Sequence, residues 1–220
     1  MEFNVEREKK MAAVSAVDYL DDGMTVGLGT GSTVAYLIPA IAYRELDITC
    51  VATSPATENL ATSHGLRVVA FDKLDHLDVA IDGADQVDPH GWLIKGGGGA
   101  HTRERIVASA ARRFIVIVSA NKLVGRLRPP VPLELMSFGL PSTLRWLLGD
   151  VRIRSDALRT PDGGVLADWY GPVDDPIGLG RHFSSTPGVV SHGLFQPALT
   201  ERVLIGRGTQ VDVMKVSPPE

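Results

Sequence analysis

The run Phe114-Ile115-Val116-Ile117-Val118 is apolar at every position and rich in β-branched residues. A strand with one wet face alternates polar and apolar residues. A run with no alternation belongs to a strand covered on both faces, as in a parallel sheet flanked by helices. The neighbouring segments fit that architecture. Upstream, a helix is predicted from about Thr102 to Arg113. Nearer the N-terminus, Met11, Val14, Ala16, Val17 and Leu20 recur at helical spacing within residues 5–20, until Asp21-Asp22-Gly23 breaks the pattern. Thr25 to Gly29 is a predicted strand, Ser32 to Tyr43 a helix, and Asp47 to Thr53 a second strand. Ser54-Pro55 has the chemistry of a helix start, with Ser54 as cap and Pro55 in the first turn. Arg67 to Phe71 and Asp78 to Ile81 are further strand candidates. Strands alternating with helices define an α/β fold, a Rossmann-like parallel sheet with helices on both sides.

The pattern changes at Arg126-Leu127-Arg128-Pro129-Pro130. Later strand candidates, Val151–Ser155, Gly164–Trp169 and Val189–Phe195, are separated by turns. Pro161-Asp162-Gly163-Gly164 could close a hairpin. Residues 127–200 are therefore expected to form a second, smaller α+β domain. Arg202 to Gly206 is expected to return to the first sheet, giving a main domain of residues 1–126 and 201–220.

The 220 residues can bury a full core. A net charge of −4 argues against a nucleic-acid partner, whose phosphates require a basic surface. The sequence has no apolar run of bilayer length, and Met1 to Lys10 does not follow a signal-peptide pattern. The single cysteine, Cys50, excludes an internal disulfide and sits in an apolar run as a small buried hydrophobe. These features lead us to expect a cytoplasmic protein with no membrane partner.

In open parallel sheets the ligand lies beyond the carboxyl ends of the strands. Four polar loops fall there: Gly29-Thr30-Gly31-Ser32-Thr33, Thr53 to Thr57, Asp82-Gly83-Ala84-Asp85, and Ser119-Ala120-Asn121-Lys122. The first joins a strand to a helix, where backbone amides suit a phosphate. It lacks the Gly-Lys-Ser/Thr of a nucleotide-binding loop. It nearly matches a dinucleotide fingerprint, with Ser32 at the third glycine position. Lys95-Gly96-Gly97-Gly98-Gly99 lies between an apolar segment and a predicted helix start, an odd place for a flexible linker. A backbone cradle for oxyanions is the better reading. Glu104 follows in the first helical turn, where an acidic residue also complements the helix dipole; Thr102 is a possible cap. Asp88, in the turn Asp88-Pro89-His90-Gly91, competes as a purely local hydrogen-bonding residue. His90 and His101 show no metal-ligand spacing. His101 and His192 are expected to be structural or solvated.

Taken in order, these segments resemble the ribose-5-phosphate isomerase A family. The resemblance rests on Val26 to Thr33, Ala80 to Asp85, Ile94 to Ala100, Arg103-Glu104 and Pro187 to Phe195. It implies interconversion of ribose 5-phosphate and ribulose 5-phosphate through a cis-enediol, without metal or cofactor. Glu104 matches the family's base. Lys95 with the amides of Gly96, Gly97 and Gly98 would stabilise the enediolate oxygen. Asp82 and Asp85, with Gly83 and Ala84 between them, would hold sugar hydroxyls and assist ring opening. Thr30, Gly31, Ser32 and Thr33 match the substrate loop, and Lys122 and Lys9 would bind the phosphate. The resemblance also implies a homodimer or dimer of dimers. The chain differs from the family pattern at Gln86, where Glu is usual, at Ser119 and Asn121, and at His101, where an apolar residue is usual. Isomerisation of another sugar phosphate, or sugar-phosphate binding without catalysis, is the alternative reading.

Overall fold

The computed structural model describes residues 2–155 and 159–216. Helix α1 (Glu2–Ala16) leads into β1 (Thr25–Leu28), α2 (Val34–Tyr43), β2 (Thr49–Ala52), α3 (Pro55–Ser63), β3 (Arg67–Val68) and β4 (Val79–Asp82). Two short strands follow, β5 (Gln86–Val87) and β6 (Leu93–Ile94), then α4 (His101–Ala110) and β7 (Phe114–Ser119). The next stretch holds β8 (Val131–Leu135), α5 (Leu140–Trp146), β9 (Val151–Ile153), β10 (Val165–Trp169), α6 (Pro176–Ser185), β11 (Val189–His192) and β12 (Leu194–Phe195). The chain ends with β13 (Arg202–Arg207) and β14 (Gln210–Lys215).

Seven strands form the main sheet in the order β14-β13-β7-β4-β1-β2-β3, all parallel except β14. The all-apolar run is β7, near the middle and buried throughout. Its residues divide between two cores. Ile115 and Ile117 join Leu20, Leu37, Ile38 and Ile41 on the face covered by α1 and α2. Phe114, Val116 and Val118 join Val107 and Phe195 on the face covered by α4. This two-sided burial is the physical reason for a run without alternation. Ser54 caps α3 as expected, accepting from Thr57 N. The helix predicted to reach Arg113 stops at Ala110 instead. Ala111 turns extended, and Arg112 N–H bonds to Leu77 O at 2.9 Å, so the residues leading into β4 capture the tail. β3 is shorter than predicted, because the chain turns into a 3-10 helix at Phe71.

A four-stranded antiparallel sheet, β11-β8-β10-β9, carries its own apolar cluster, and a three-stranded sheet, β12-β6-β5, lies between. β8 was not expected, since Pro132 argues against a central strand. Pro132 O accepts from Gly193 N at 2.7 Å. A residue's N–H and C=O point to the same side of a strand, so the donor missing from Pro132 falls where β11 has already ended. The predicted strand Val189–Phe195 is divided at Gly193. There the chain leaves β8 and pairs with β6, and Gly193 O receives Lys95 N–H at 2.9 Å. Among the described residues no helix is long and apolar enough to cross a membrane.

Candidate active site

The ends of β1, β4 and β7 and the start of α4 enclose a cavity of about 100 Å3. Thr30, Gly31, Ser32, Thr33, Gly83, Ala84, Asp85, Lys95, Gly96, Gly97, Gly98, Glu104 and Lys122 all line it. Segments up to 92 positions apart in the sequence therefore converge as expected. Asp82 and Lys9 are not in the wall. Asp82 lies behind Lys95, at the end of β4. Lys9, on α1, is ion-paired to Glu6 at 2.6 Å.

At the centre is a buried triad. Lys95 Nζ lies 2.7 Å from Asp82 Oδ2, 3.1 Å from Glu104 Oε2 and 2.5 Å from Gly83 O. All three ammonium hydrogens have neighbours, and Lys95 is 2% exposed. Burial alone would lower its pKa, but the charges of Asp82 and Glu104 outweigh that and hold it raised. The two carboxylates are not equivalent. Burial pushes Asp82 upward, opposed by Lys95, and its Oδ1 also accepts from Thr30 N at 3.1 Å and Gly83 N at 2.7 Å. These two amide donors and the ammonium charge favour the ionised form. Glu104 has only the Lys95 contact, which is an ion pair without hydrogen-bond alignment. Burial, then the Asp82 charge, push Glu104 up to about 8. Both carboxyls are thus held above the ordinary range, Asp82 with more donors on its anion and Glu104 poised to exchange a proton near neutrality.

Backbone geometry makes this packing possible. A Cβ at Gly29 would overlap the Asp82 carboxylate. Gly96 has φ +103°, and a Cβ there would meet the His101 ring at 2.6 Å. Gly97 N–H donates to Asp85 Oδ2 at 2.8 Å, so that amide is already engaged. The loop is gripped from behind by Arg154, just past β9. Its Nη1 donates to Gly97 O at 3.0 Å and Gly96 O at 3.3 Å, and its Nε and Nη2 fork onto Asp168 at 2.7 and 2.6 Å. With two carbonyls drawn toward Arg154, the peptide planes of the cradle are set. Replacing Arg154 with Met is expected to lower kcat/KM about 10²-fold through misplacement of the loop. Lys should restore only part, since an ammonium cannot fork onto Asp168 and also reach both carbonyls. Steady-state kinetics of both variants at matched Tm test this, and unchanged kinetics in the Met variant would refute it.

The first turn of α4 is braced similarly. Thr102 does not cap the helix; its hydroxyl donates to the buried Glu134 of β8, which also accepts from Thr160 at 2.6 Å. Arg103 forks onto Asp162 at 2.8 and 2.7 Å. Sequence reasoning assigned no role to Arg154, Glu134 or Asp162. A charged residue beside a predicted turn was the only local signal.

The residues that differ from the family pattern turn away from the cavity. Gln86 Nε2 donates to Arg128 O and its Oε1 accepts from Arg128 N, a pairing that a carboxylate could only half make. Ser119 Oγ bonds to Asn121 Oδ1 at 2.6 Å. Asp88 Oδ1 accepts from His90 N and Trp92 N, confirming the local reading. Among the described residues no three His, Cys, Asp or Glu side chains are grouped to hold a metal.

His101 is fully buried beneath Gly96 rather than solvated, and neither ring nitrogen has a hydrogen-bond partner among the described residues. Burial pushes its pKa down to about 4, and that of His192 to about 3. Below the unfolded value of 6.5, the unfolded chain binds protons that these two rings refuse. Stability is therefore complete above about pH 6.5 and declines as pH falls toward 4. His101→Leu should remove an acid penalty on the order of 3 kcal/mol and move the acid-unfolding midpoint, followed by circular dichroism, to lower pH. An unmoved midpoint would refute the assignment.

A parallel α/β sheet carrying a buried lysine–dicarboxylate centre under a glycine cradle defines a strand-end acid–base site for a small anionic ligand. The model of the family ribose 5-phosphate isomerase A (phosphoriboisomerase A) matches residues 49–210. The ribose-5-phosphate isomerase A of Roseiflexus castenholzii is 40% identical over 213 residues, covering 90% of this chain and 91% of that protein. The crystal structure of ribose 5-phosphate isomerase A from Neisseria gonorrhoeae superposes with a TM-score of 0.92 at 31% identity, over 97% of this chain and 98% of that one. A D-ribose-5-phosphate isomerase in complex with phospho-erythronic acid gives a TM-score of 0.91 at 35% identity, over 96% and 99%. The chain belongs to the ribose 5-phosphate isomerase A family.

Proposed function

We propose that this chain interconverts ribose 5-phosphate and ribulose 5-phosphate through a cis-enediolate, with Glu104 carrying the proton. The observation that carries this reading is the buried Glu104 carboxylate, 3.1 Å from Lys95 Nζ, at a cavity lined by the glycine loop on one side and the start of α2 on the other. The phosphate would sit at Ser32, Thr33 and the first amides of α2, with Lys122, which lines the same cavity, as its cation. Lys9, outside the wall and paired with Glu6 at 2.6 Å, would have to turn from that carboxylate to reach the phosphate. With the sugar open, Glu104 takes the C2 proton, and charge gathers on O1 beside Lys95 and the Gly96 and Gly98 amides. Glu104 then returns the proton to C1 while the O2 hydrogen passes to O1, so aldose and ketose balance. Asp85, on the wall, would hold a sugar hydroxyl and assist ring opening. Asp82 acts through Lys95, fixing its charge and position.

The experiment is direct: ribose 5-phosphate is offered beside other aldose phosphates and the ketose product is followed by NMR. Ribulose 5-phosphate should be the dominant product. No conversion, or preference for a different aldose phosphate, overturns the reading. By the same family likeness we infer a homodimer or dimer of dimers in the cytoplasm. Exposed Ile106, Met136 and Phe138, around a cavity of about 740 Å3, support a subunit contact. Light scattering on the purified protein tests the oligomer.

A further inference from the structure

We propose that a second cavity, between α4 and the last turns of α6, is a binding site for a small tetrahedral oxyanion such as phosphate. Its volume is about 280 Å3, and its walls include Arg105, Arg181, Ser184, Ser191, His192 and Gln196. No carboxylate lines it. It shares no lining residue with the catalytic cavity.

Arg105 is the main observation. Only its Nη2 is engaged, donating to His192 O and Leu194 O at 2.6 Å each and lying 3.4 Å from His192 Nδ1. These acceptors are all neutral. Among the described residues Nε and Nη1 have no partner, and neither Arg105 nor Arg181 has a carboxylate within ion-pair distance. The guanidinium carbon lies 4.3 Å from the Phe195 ring centroid, which offsets only part of the cost of burying a cation. Burial draws the Arg105 pKa down to about 10. A charge partly withdrawn from water is ordinarily paired, and among the described residues no carboxylate pairs with the half-buried Arg105.

The other donors complete the site. His192 Nδ1 accepts from Leu194 N at 3.3 Å, which assigns the ring proton to Nε2. Nε2 then donates to Ser184 Oγ at 3.2 Å, leaving the Ser184 O–H free to donate elsewhere. Ser191, 8% exposed, has a buried hydroxyl with no partner among the described residues. Donors thus come from α4, through Arg105, and from α6, through Arg181 and Ser184. That distribution suits an ion with acceptor oxygens on every side better than a planar carboxylate, which one guanidinium fork can satisfy. The carboxyl end of α6 contributes about half a negative charge, which two guanidinium groups outweigh.

The test compares two readouts on the full-length protein with inorganic phosphate at constant ionic strength. Thermal unfolding reports all phosphate sites, and inhibition of isomerisation reports the catalytic cavity. The wild type should gain about 3–5 °C in Tm at phosphate ten times its Kd. Arg181→Gln and Ser184→Ala, both on the exposed wall, should lose roughly half of that gain or more, with isomerase rate and inhibition constant unchanged. The proposal is overturned if neither variant reduces the gain, if acetate produces the same gain, or if the inhibition constant moves together with the Tm. Absence of isomerase activity would count against the proposed reaction instead, and the thermal comparison would still decide this site.

Discussion

Glu104→Gln is expected to lower kcat by about 10²–10⁴-fold while leaving phosphoerythronate affinity nearly unchanged. The amide keeps the shape and the burial but cannot take a proton from C2. The lost interaction belongs to the transition state, so kcat should fall and KM should move little. Exchange of the C2 hydrogen with solvent deuterium should vanish in parallel. The pH profile adds a second constraint. Burial and the Asp82 charge hold Glu104 up to about 8, so the free enzyme gains its active carboxylate only as pH climbs through that region. The acid limb of kcat/KM should lie well above that of an ordinary glutamate and should be absent from the residual rate of the Gln variant. Near wild-type turnover in Glu104→Gln would remove Glu104 from the chemistry.

The parts of this molecule legible in sequence are those governed by short-range pattern. Phe114 to Val118 discloses a two-faced strand because successive residues along it face two cores in alternation. The glycine loop and Asp82-Gly83-Ala84-Asp85 disclose a strand-end site because such backbone must lie near a ligand or a close neighbour. β8 is hidden by Pro132, whose missing donor does no harm only because β11 ends beside it. β5 and β6, two residues each, carry no periodicity at all. The supports of the site are hidden for a different reason. Arg154 meets Gly96 across 58 positions and Arg105 meets Leu194 across 89, and neither partner is chosen by a local rule. Thr102 illustrates the same limit: a cap by position, it is claimed by Glu134 on another sheet. Gln86 is the converse case, a departure in the motif that serves the Arg128 backbone rather than the substrate.

Lys95→Met should cost both activity and fold stability, and the two losses should separate in a second variant. Met matches the length of the stem but removes the charge that Asp82, Glu104 and Gly83 O share. The buried Asp82 carboxylate then lies beside the Glu104 carboxyl with no cation to neutralise it, which should destabilise the fold by about 3–5 kcal/mol at neutral pH. Activity should fall at least about 10²-fold, since the charge developing on O1 loses its ammonium. Without Lys95 the main influence lowering both carboxylate pKa values is gone, so both rise further. Groups whose folded pKa is raised contribute stability at low pH and lose it as pH climbs. The deficit measured by urea unfolding should therefore be small near pH 5, where a carboxylate can take a proton, and large near pH 8. Adding Asp82→Asn should recover much of the stability, because one buried charge is removed, but none of the turnover. A deficit that stays constant from pH 5 to 8, or a double variant as unstable as the single one, would show that Lys95 does not neutralise this pair.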